Sequence, residues 1–570
     1  MVSSTHWLAS TAAMRILERG GNAFDAVVAG GLTLQVVEPH LNGLGGDLPI
    51  IFTRAEEDSP RVICGQGVAP AAASIERFQE LDLDLIPGTG LLCACVPGAF
   101  DAWMTLLRDH GTCEIEEVFE MAIAYADHGT PVSAQLAEIL AGVSGLFEAH
   151  WPSSAELYLG DGPPSQGTLV RNRPLADTYR RIVREAKTAR GREAQIDAAR
   201  ACFYQGFVAS AIDSFLASAV VRDSSGRDNP GLLSGEDLAS WQASYEEPVC
   251  LSFGGYEIYK TGPWGQGPVL LQQLALLDGF DLAEMGHNSA EYIHAVVETG
   301  KLAFADREAW YGDPNFVDVP LETLLSAGYA SERRRLVGER ASAELRPGGP
   351  DGREPRLAQA TSGSASGLGI GEPTVGAIGD TCHIDVVDRH GNIVSATPSG
   401  GWLQSSPAIP GLGFSLGTRA QMFWLEPGLP NSLAPRKRPR TTLTPTLALK
   451  DGGARIGFGS PGGDQQDQWA MNFLLGVQAF GLGLQQAIDA PQFQSLNAPS
   501  SFYPRRRVPG RLEVEGRLAP DIVADLRDRG HDVVAGGDWA YGRVCAVARG
   551  EDRLLRGAAS PRAEGYAIGR

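Results

Sequence analysis

The amino-acid sequence predicts an α+β protein whose first 380 residues are mostly helical with some strands, and whose remainder is rich in sheet. Apolar residues recur at helical spacing in several segments of the first part. Between residues 345 and 380 large apolar residues become scarce and Gly, Pro and Ser become frequent, which indicates a surface loop or flexible linker. After that stretch, alternating apolar segments are separated by hairpin-turn residues, and this pattern favours antiparallel strands.

Three segments of the first part show the helical pattern. In "STHWLASTAAMRILERGG", Leu8, Ala12 and Ile16 fall on one face before a Gly-Gly stop. The helix in "EDLASWQASY" begins after Ser234, a residue suited to an N-cap. A long amphipathic helix is predicted for "SAEYIHAVVETGKLAFADREAWYGDP", where the final Gly and Pro end it. The apolar run "AVVAGGLTLQVV" at 26–37 is too short for a membrane span and predicts a buried helix.

Strands are predicted on both sides of the linker. In the first part they are "LPIIFTR" and "YEIYKTG". After the linker, "HIDVVD" and "IVSATPS" flank the turn "RHGN", which predicts a hairpin. A second hairpin is predicted for "TLTPTLALKDGGARIGFGS", with its turn at "KDGGA".

Composition and charge narrow the classes of partner. The chain has 570 residues and 68 acidic against 48 basic residues, for a net charge of −20. Such a surface repels nucleic acid and anionic membranes, so neither is expected as a partner. The N-terminal residues lack a basic segment followed by an apolar one, and we expect a cytoplasmic protein without a signal peptide. The eight cysteines are scattered without a CxxC pair and read as small buried apolar residues rather than disulfides or metal ligands.

Thr381 stands directly after the linker, where a strand begins. If the peptide bond before it is cut, this threonine gains a free α-amine with an ordinary pKa of about 7.7–8.0, which can accept the hydroxyl proton at neutral pH. Such a site needs no separate His/Asp triad, and no such triad stands out in the sequence. The layout is that of an N-terminal nucleophile hydrolase. Threonine is also a common strand residue, so position alone leaves a plain strand start as the alternative.

The segment beginning at Thr381, "TCHIDVVDRHGNIVSAT", resembles the start of the small subunit in the gamma-glutamyltransferase family, "TTH.SVVD..GN.VS.T". The resemblance extends over nearly the whole chain and in family order, through "RILERGGNAFDAVVA", "NGLGGDLPIIF", "VPGAFDAW", "GLLSGEDLASWQASYEEPV", "GYEIYKTGPWGQGP", "LAFADREAWYGDPNFVDVP", "LAPRKRPRTTLTPTLALKDG", "GSPGGD" and "GAASPR". Many separate matches in one order are more specific than any single motif. On these segments the chain is identified as a member of that family.

The resemblance implies a fold and a division of the chain. The fold is a four-layer αββα sandwich of the N-terminal nucleophile hydrolase type, with two central sheets that are mainly antiparallel. Self-cleavage between Asp380 and Thr381 gives a large subunit, 1–380, whose residues 345–380 are the flexible linker, and a small subunit, 381–570. The two fragments pair as a heterodimer, either alone or as a dimer of heterodimers.

The resemblance also implies residue roles. Thr381 is the nucleophile, and Ser399 takes the place of a second family threonine that hydrogen-bonds the nucleophile's hydroxyl. A serine keeps the donor and the acceptor of that threonine. Gly462 and Gly463 match the glycines whose backbone N–H groups form the oxyanion hole, since glycine lets a backbone approach the substrate closely. Two further threonines replace the family's paired serines that hold the substrate: Thr441 and Thr442. No metal and no cofactor is implied.

Other interpretations of these residues remain open. "GFGSPGGD" is compatible with a plain hairpin loop, and it lacks the Lys of a phosphate-binding loop. His383 is compatible with a base or a metal ligand, but its place in a strand favours a packed, hydrogen-bonded histidine. Cys382 is next to the nucleophile, but its side chain is expected to point away from Thr381 and into the core.

Three positions depart from the family's pattern for binding a γ-glutamyl head. Ile75, in "APAAASIERF", stands where the family has the Arg that pairs with the α-carboxylate, and an aliphatic side chain cannot replace it. Gln421, in "LGTRAQMFWL", stands where the family has the Asp that neutralises the α-amine. Gly401 replaces an Asn. Arg419, close to Gln421, is either a new anchor for an anionic group or a solvated loop residue.

The sequence therefore predicts a gamma-glutamyltransferase-like amidohydrolase that acts on a small-molecule amide through an acyl-enzyme, similar to the branch with oxamate amidohydrolases and cephalosporin acylases. The alternative within the family is a true glutathione hydrolase or γ-glutamyl transpeptidase, acting in glutathione metabolism, with a rearranged glutamyl pocket. An uncleaved, non-enzymatic binding protein and a metal enzyme are the alternatives outside it. The retained Thr381, Ser399 and both glycines argue against the first of these, and the absence of ligand spacing argues against the second.

Overall fold

The computed structural model describes residues 1–57, 59–359 and 380–570. Within them the chain up to residue 359 is mostly helical, as the sequence predicts. The α-helices are α1 (Trp7–Glu18), α2 (Ala23–Val37), α3 (Ile75–Glu80), α4 (Ala99–His110), α5 (Ile115–His128), α6 (Ala134–His150), α7 (Pro152–Tyr158), α8 (Arg173–Ala186), α9 (Arg192–Tyr204), α10 (Phe207–Leu216), α11 (Gly235–Ala239), α12 (Gly267–Leu277), α13 (Leu282–Met285), α14 (Ala290–Trp310), α15 (Leu321–Leu324), α16 (Ala327–Arg334), α17 (Gln466–Gln478), α18 (Leu484–Asp489) and α19 (Pro520–Asp528).

Strands occur in both parts of the chain and dominate after residue 380. They are β1 (Val2–Ser4), β2 (Leu48–Thr53), β3 (Arg61–Gly65), β4 (Thr130–Pro131), β5 (Leu169–Val170), β6 (Val220–Arg222), β7 (Asp228–Pro230), β8 (Ser244–Glu246), β9 (Val249–Phe253), β10 (Tyr256–Lys260), β11 (Ile384–Val387), β12 (Ile393–Ala396), β13 (Thr446–Lys450), β14 (Ala454–Gly459), β15 (Phe493–Ser495), β16 (Arg511–Val514), β17 (Asp532–Ala535), β18 (Cys545–Arg549), β19 (Leu555–Ala559) and β20 (Tyr566–Ile568).

Two large sheets form the centre of the molecule. The first has the strand order β20-β1-β11-β12-β2-β3-β8, and the second has the order β19-β18-β14-β13-β10-β9. All neighbouring pairs in both sheets are antiparallel. Each sheet combines strands from before and after residue 380, so the two parts of the chain share both sheets.

The two sheets pack against each other, and helices cover their other faces. Strands β11 and β12 contact β14 and β18, with an apolar cluster between the sheets that includes Ile51, Val387, Ile393, Leu447 and Val547. Helices α2 and α4 pack on the first sheet, while α12 and α17 pack on the second. The structure is therefore a mixed fold of helices and antiparallel sheet with apolar clusters on both sides of each sheet.

The helices and hairpins that short sequence segments predict are found at the predicted positions. The two hairpins are β11–β12 and β13–β14, each antiparallel. Ser234 caps α11 by accepting the backbone N–H of Asp237, but that helix ends at Ala239 and a strand follows at Ser244. Helix α2 is buried along its whole length, as the apolar run predicts.

Helix α14 corrects the expectation of an amphipathic helix. All of its residues except Glu291 are buried. The charged side chains that suggested a solvent face are paired inside the protein: Lys301 Nζ lies 2.6 Å from Glu298 Oε1, and Arg307 Nη2 lies 2.8 Å from Glu308 Oε1. Burial of charged groups is tolerated because they are paired. Some partners come from outside the helix, such as Arg440 for Glu308, and helical periodicity does not reveal those.

The segment predicted to be a flexible linker, 345–380, lies partly outside the described residues, which resume at Asp380. Residues 345–359 make defined contacts. The backbone N–H of Gly348 donates to Asp306 at 2.6 Å, and that of Gln359 donates to Glu426 at 2.9 Å. The described beginning of this segment is thus attached to both parts of the chain.

None of the helices in the described ranges has both the length and the apolar character that crossing a lipid bilayer requires.

Candidate active site

Thr381 lies at one end of the first sheet, in a row with two other polar residues. It pairs with Ser399 in an antiparallel bridge, and Ser399 pairs in the same way with Asp47 on the next strand. All three are buried. Because residues opposite each other in antiparallel strands project from the same face, their side chains share one face of the sheet. Hairpin β11–β12 and the start of β2 create this row.

The peptide bond before Thr381 is held by hydrogen bonds on both sides. Ser399 Oγ donates to the carbonyl oxygen of Asp380 at 3.0 Å, and Thr381 Oγ1 lies 3.2 Å from Ser399 Oγ. The backbone N–H of Thr381 donates to Asp380 Oδ1 at 2.9 Å, and Arg543 pairs with the other carboxylate oxygen of Asp380. The hydroxyl of Thr381 is therefore next to Ser399 Oγ, which donates a hydrogen bond to the carbonyl of Asp380.

Gln466 is the second side chain in contact with the Thr381 hydroxyl, and sequence analysis missed it. In the orientation that satisfies both ends of its amide, Oε1 accepts from Thr381 Oγ1 at 3.2 Å, while Nε2 donates to the carbonyls of Thr442 at 3.1 Å and Ser460 at 3.3 Å. Gln466 is the first residue of α17 and is buried. Through this amide, the start of α17 and residue 442 are brought to the nucleophile.

The glycines predicted to form an oxyanion hole lead directly into this helix. Gly462 and Gly463 have φ of +121° and +56°, a region that L side chains rarely adopt. A Cβ on Gly462 would lie 2.2 Å from the ring of Trp469, so only glycine fits. N–H groups at the start of a helix lack partners within the helix, and the helix dipole adds positive potential there. Both features suit a site for a developing oxyanion.

The two predicted substrate-binding threonines differ in their contacts. Thr441 is buried, and its hydroxyl accepts the backbone N–H of Leu443 at 3.4 Å. The hydroxyl of Thr442 is buried and has no hydrogen-bond partner among the described residues. Of the two threonine hydroxyls, that of Thr442 is therefore the one available to hydrogen-bond a substrate.

The residues next to Thr381 are occupied by structural contacts, as the sequence interpretation favoured. The two ring nitrogens of His383 each lie 2.9 Å from an oxygen, Nδ1 from Thr397 Oγ1 and Nε2 from Asp385 Oδ1, which leaves neither nitrogen for catalysis. Cys382 points to the opposite side, where its thiol donates to Glu38 Oε2 at 3.1 Å. Burial raises the pKa of the Cys382 thiol well above its usual range, so it is no nucleophile at neutral pH.

Glu38 is a buried carboxyl close to the cleavage position. It accepts hydrogen bonds from Thr5 Oγ1 at 2.7 Å and from the Cys382 thiol. Burial raises the pKa of Glu38 from 4.5 to about 7, against the opposing effect of these two hydrogen bonds. The carboxyl therefore changes charge within the physiological range.

Arg419 is buried rather than solvated and forms an ion pair with Asp47. Its Nε lies 3.0 and 2.9 Å from the two carboxylate oxygens of Asp47. Its terminal nitrogens, Nη1 and Nη2, are buried and have no hydrogen-bond partner among the described residues. Burial raises the pKa of Asp47, and the attraction of Arg419 opposes that rise.

Gln421 is held by the protein's own backbone. Its Nε2 donates to the carbonyl of Gly88 at 3.2 Å and to Thr418 Oγ1 at 3.0 Å, and its Oε1 accepts from the N–H of Tyr503 at 3.1 Å. Both ends of the amide are therefore engaged in joining three loops.

The two other departures from the family pattern also have structural contexts. Ile75 begins α3 and packs against an apolar cluster that includes Phe78, Ala420 and Phe423. Gly401 has φ of +64°, and a Cβ there would lie 2.8 Å from the backbone nitrogen of Gly46. No larger residue fits at 401 while the two backbones approach so closely.

The structure thus brings together Thr381, Ser399, Asp380 and, through Gln466, Thr442. Arg419 joins them through Asp47, whereas Gln421 is engaged in loop contacts. Sequence analysis missed four of the residues that surround the threonine: Gln466, Asp47, Arg543 and Glu38. Asp47 and Gln466 have weak local signals, because Asp47 ends the glycine-rich segment "NGLGGD" and Gln466 comes two residues after "GSPGGD". Arg543 and Glu38 have none.

Curated relatives match the chain over its full length. A glutathione hydrolase-like YwrD proenzyme of Bacillus subtilis is 32% identical and covers 100% of this chain and 98% of its own. An acylase ACY 1 proenzyme of a Pseudomonas species is 32% identical, with 100% and 93% covered. An oxamate amidohydrolase proenzyme of Klebsiella pneumoniae is 30% identical, with 100% and 98% covered.

Solved structures match it as well. LmbA2991HD is 53% identical with a TM-score of 0.95 and covers 100% of this chain and 98% of its own. A cephalosporin acylase from Bacillus halodurans is 28% identical with a TM-score of 0.82, with 100% and 96% covered.

Whole-length similarity to named hydrolases and acylases, on a fold shared with an acylase, places the molecule in the class of amide hydrolases. More particularly, the chain belongs to the gamma-glutamyltranspeptidase family, whose model matches residues 9–570. The resemblance found in the sequence, including that to oxamate amidohydrolase and cephalosporin acylase, is confirmed.

Proposed function

We propose that this enzyme cuts its own chain between Asp380 and Thr381 and then hydrolyses a non-glutamyl amide through an acyl-enzyme on Thr381. One observation carries the proposal: Ser399 Oγ donates to the Asp380 carbonyl while it also contacts the hydroxyl of Thr381. A donor on a carbonyl oxygen stabilises the negative charge that develops there during attack. The proenzyme names of the relatives support a processed chain.

Self-cleavage begins with attack of Thr381 Oγ1 on the carbonyl carbon of Asp380. The C–N bond breaks as the nitrogen of Thr381 gains a proton, and Asp380 is left as an ester on the threonine. This step frees the α-amine of Thr381, and water then hydrolyses the ester, which releases the carboxylate of Asp380 and restores the hydroxyl of Thr381. Arg543 supports the step because its pairing with the Asp380 side chain fixes the bond that breaks.

Amide hydrolysis reuses the same hydroxyl. The freed α-amine of Thr381 accepts the proton of Oγ1 as this oxygen attacks the substrate carbonyl. Gly462 and Gly463 stabilise the resulting oxyanion with their N–H groups, and the leaving amine takes the proton. Water then attacks the acyl-enzyme, releases the acid and returns the hydroxyl. Ser399 no longer has the Asp380 carbonyl to serve after cleavage, so its proton becomes available to Thr381 Oγ1.

The acyl group is not γ-glutamyl, because the contacts that a free amino-acid head requires are replaced. Ile75 is apolar and packed in a cluster, and Gly401 carries no side chain. Both ends of the Gln421 amide are used within the protein. An α-ammonium and an α-carboxylate entering this site would lose water without gaining these partners, at a cost of several kcal/mol.

The fold and the division of the chain are part of the proposal. We propose a four-layer αββα sandwich, supported by the two packed sheets and by the helices on their outer faces. The large subunit is then 1–380 and the small subunit 381–570, joined as a heterodimer. Both sheets combine strands from the two fragments, which supports their staying together after cleavage.

Cleavage is tested by comparing the wild type with the Thr381→Ala variant on a denaturing gel and by intact mass. We expect wild-type fragments of residues 1–380 and 381–570, the second beginning with Thr381, and a single chain for the variant. A wild-type chain that stays whole and still hydrolyses amides would overturn the self-cleavage mechanism.

Substrate class is tested with the cleaved protein on a panel of p-nitroanilides. We expect γ-glutamyl-p-nitroanilide to be a poor substrate and at least one acyl anilide without an α-amine to be better by more than tenfold in kcat/KM. Efficient hydrolysis of the γ-glutamyl compound, at the ordinary enzyme level of about 10⁴ M⁻¹s⁻¹ or above, would instead establish a glutathione hydrolase.

A further inference from the structure

Arg543 is tied to the cleavage position by a single carboxylate. One oxygen of the Asp380 side chain accepts the backbone N–H of Thr381 at 2.9 Å, and the other oxygen pairs with Arg543 Nη1. The same carboxylate therefore lies between the nitrogen of Thr381 and the guanidinium. Two hydrogen-bond lengths across one carboxylate place these two nitrogens about 5 Å apart.

Self-cleavage divides this cluster unequally. Asp380 becomes the last residue of the large subunit, whereas Thr381 and Arg543 both belong to the small subunit. Among the described residues, Arg543 has no ion pair or hydrogen bond other than the one with Asp380. Release of Asp380 therefore leaves the guanidinium without a partner in the same reaction that turns the nitrogen of Thr381 into an amine.

The backbone holds Arg543 in place independently of Asp380. The buried Ser560 binds on both sides of it: its Oγ donates to the carbonyl of Gly542 at 2.9 Å, and its N–H donates to the carbonyl of Val544 at 3.0 Å. Strand β18 begins directly afterwards. Only 26% of the arginine side chain is exposed, so water screens its charge incompletely. The guanidinium thus keeps its attachment point when the carboxylate has gone.

Burial keeps most ionisable neighbours of this cluster neutral. It lowers the pKa of His6 and of His40 and raises that of the Cys382 thiol, so all three are uncharged at pH 7. Asp47 and Arg419, further along the row, are paired with each other. These groups therefore contribute little net charge beside the nucleophile.

Glu38 is a carboxyl that opposes Arg543. Burial raises its pKa to about 7, while Arg543 lowers this pKa and Asp380 raises it. Loss of Asp380 therefore favours its ionised form. The hydrogen bond from the Cys382 thiol holds Glu38 on the side of the strand opposite to the Thr381 hydroxyl. Since Arg543 shares a carboxylate with the Thr381 nitrogen itself, we expect Glu38 to reduce its effect without cancelling it.

We propose that Arg543 activates Thr381 electrostatically once Asp380 has left: its unpaired positive charge disfavours a second positive charge on the new α-amine, which stays neutral and able to accept the hydroxyl proton. Like charges about 4–6 Å apart disfavour each other's charged forms, and at this partial exposure we expect an effect of about one pH unit on the amine. The inference rests on the proposed function, because the amine exists only after self-cleavage.

The test measures the pKa of this amine in the cleaved protein. Cyanate carbamoylates the neutral form of an α-amine, so modification of Thr381 is followed from pH 5 to pH 9 by mass spectrometry of the first peptide of the small subunit. A threonyl peptide in the same solution corrects for the reagent. We expect the pKa to be lower in the wild type than in Arg543→Gln by about one pH unit. Equal values in the two proteins overturn the proposal.

Matched variants separate charge from structure. Arg543→Lys keeps the charge and should keep most of the difference, whereas Arg556→Gln removes a charge from an exposed pair with Asp552 and should leave the amine as it is in the wild type. A lysine variant that behaves like Arg543→Gln assigns the effect to geometry and overturns the proposal.

Two further measurements apply if Arg543→Gln does not cleave itself. The double variant Asp380→Asn/Arg543→Gln leaves no stranded carboxylate and takes its place. If that chain also stays whole, the wild type decides: an amine pKa below that of the threonyl peptide, and rising when NaCl is increased from about 0.05 to 1 M, supports the proposal because salt screens charge but not burial. Any other result overturns it.

Kinetics separate this inference from the proposed function. On the best anilide of the panel, the acid limb of kcat/KM should move up by about one pH unit in Arg543→Gln, with rates above the limb within about threefold of the wild type. A lower rate at every pH with an unmoved limb would show a structural arginine and overturn the proposal. A cleaved wild type that hydrolyses no anilide contradicts the proposed function, yet the amine pKa still tests Arg543. A wild-type chain that stays whole has no such amine and overturns both.

Discussion

At the scale of single residues, Ser399 links the two reactions proposed for this site. Its hydroxyl has one proton, and in the intact chain that proton is donated to the carbonyl of Asp380 at 3.0 Å. The same oxygen lies 3.2 Å from Thr381 Oγ1. When Asp380 leaves, Ser399 can turn its proton to the nucleophile. A single hydroxyl can thus first polarise the bond that is cut and later orient the threonine.

The Ser399→Ala variant should therefore process itself slowly. Losing one donor on a developing oxyanion typically costs about 10²–10³ in rate, so we expect the cleaved fraction after expression to fall and the half-time of cleavage to lengthen by about that factor. Ser399→Thr keeps the hydroxyl and is the matched control. Both are followed by denaturing gels over time. Equal cleavage rates for the alanine and threonine variants would remove Ser399 from the mechanism.

Glu38 makes stability depend on pH in a direction opposite to that of most carboxyls. Folded Glu38 keeps its proton up to about pH 7, whereas the ordinary carboxyl releases it near 4.5. The associated stability is present below pH 4.5 and is lost as the pH rises through 7, by about 3 kcal/mol in total. We expect Glu38→Gln to flatten this dependence.

The measurement is the urea midpoint at pH 5 and pH 8 in a Thr381→Ala background, which keeps the chain whole. The exposed Glu148→Gln is the control and should leave the dependence as it is in the parent chain. A Glu38→Gln protein that loses as much stability between the two pH values as its parent would contradict the assignment.

Only part of the site could be predicted from the sequence, because its residues converge from distant segments. Thr381 and Ser399 were predicted since they lie on one hairpin and match a family motif. Arg419 and Asp47 are 372 positions apart, and their ion pair depends on the register of β2 against β12. The hydrogen bonds of Gln421 likewise depend on loops that only the folded chain brings together.

At the scale of elements, the segment before β2 and the segment after β12 approach too closely for side chains. Gly46 and Gly401 are in backbone contact, with an imagined Cβ on Gly401 only 2.8 Å from the nitrogen of Gly46. This contact holds the row of Asp47, Ser399 and Thr381 in register. It also explains why the asparagine of the family is absent here.

Replacing that glycine by the family's residue should therefore destabilise the protein rather than restore glutamyl binding. We expect Gly401→Asn to cost about 2–3 kcal/mol through overpacking, with a lower urea midpoint and no gain on γ-glutamyl-p-nitroanilide. Gly411→Asn is the control: its φ of +77° is similar, and nothing lies within 4 Å of the added Cβ. Equal midpoints for the two variants would show that the contact at 401 yields easily.

Elements with local signals were predicted well, and those decided by tertiary contacts were not. The hairpins β11–β12 and β13–β14 carry turn residues between alternating strands, so a short window suffices to find them. Helix α14 was predicted to be amphipathic, with one face toward solvent. It is buried because its charges are paired, either within the helix, as Lys301 is with Glu298, or with residues from elsewhere, as Arg307 is with Asp464.

At the scale of the whole molecule, the chain before residue 380 and the chain after it cannot bury their apolar surfaces separately. Strand β1 lies between β20 and β11, and β10 pairs with β13. The cluster between the sheets draws Ile51 from one part and Leu447 from the other. A cut at the Asp380–Thr381 bond therefore leaves the shared core in place.

The last prediction concerns what holds the fragments together after cleavage. We expect the cleaved wild type to elute from gel filtration as one species with both fragments in equal amounts, and to separate only in denaturant.

The buried pair between Arg307 and Asp464, at 2.6 Å, contributes to this cohesion because it joins the two fragments. Asp464 also binds the backbone and the hydroxyl of Ser501, which fixes the loop after Gly463. Removing one partner of a buried pair typically costs about 3–5 kcal/mol, because the other charge is left unpaired. Asp464→Asn should lower the urea concentration at which the fragments separate, whereas Glu426→Gln, at a partly exposed pair between the fragments, should leave it nearly unchanged. Separation of the wild-type fragments without denaturant would contradict the shared core, and equal shifts for the two variants would remove the buried pair from its support.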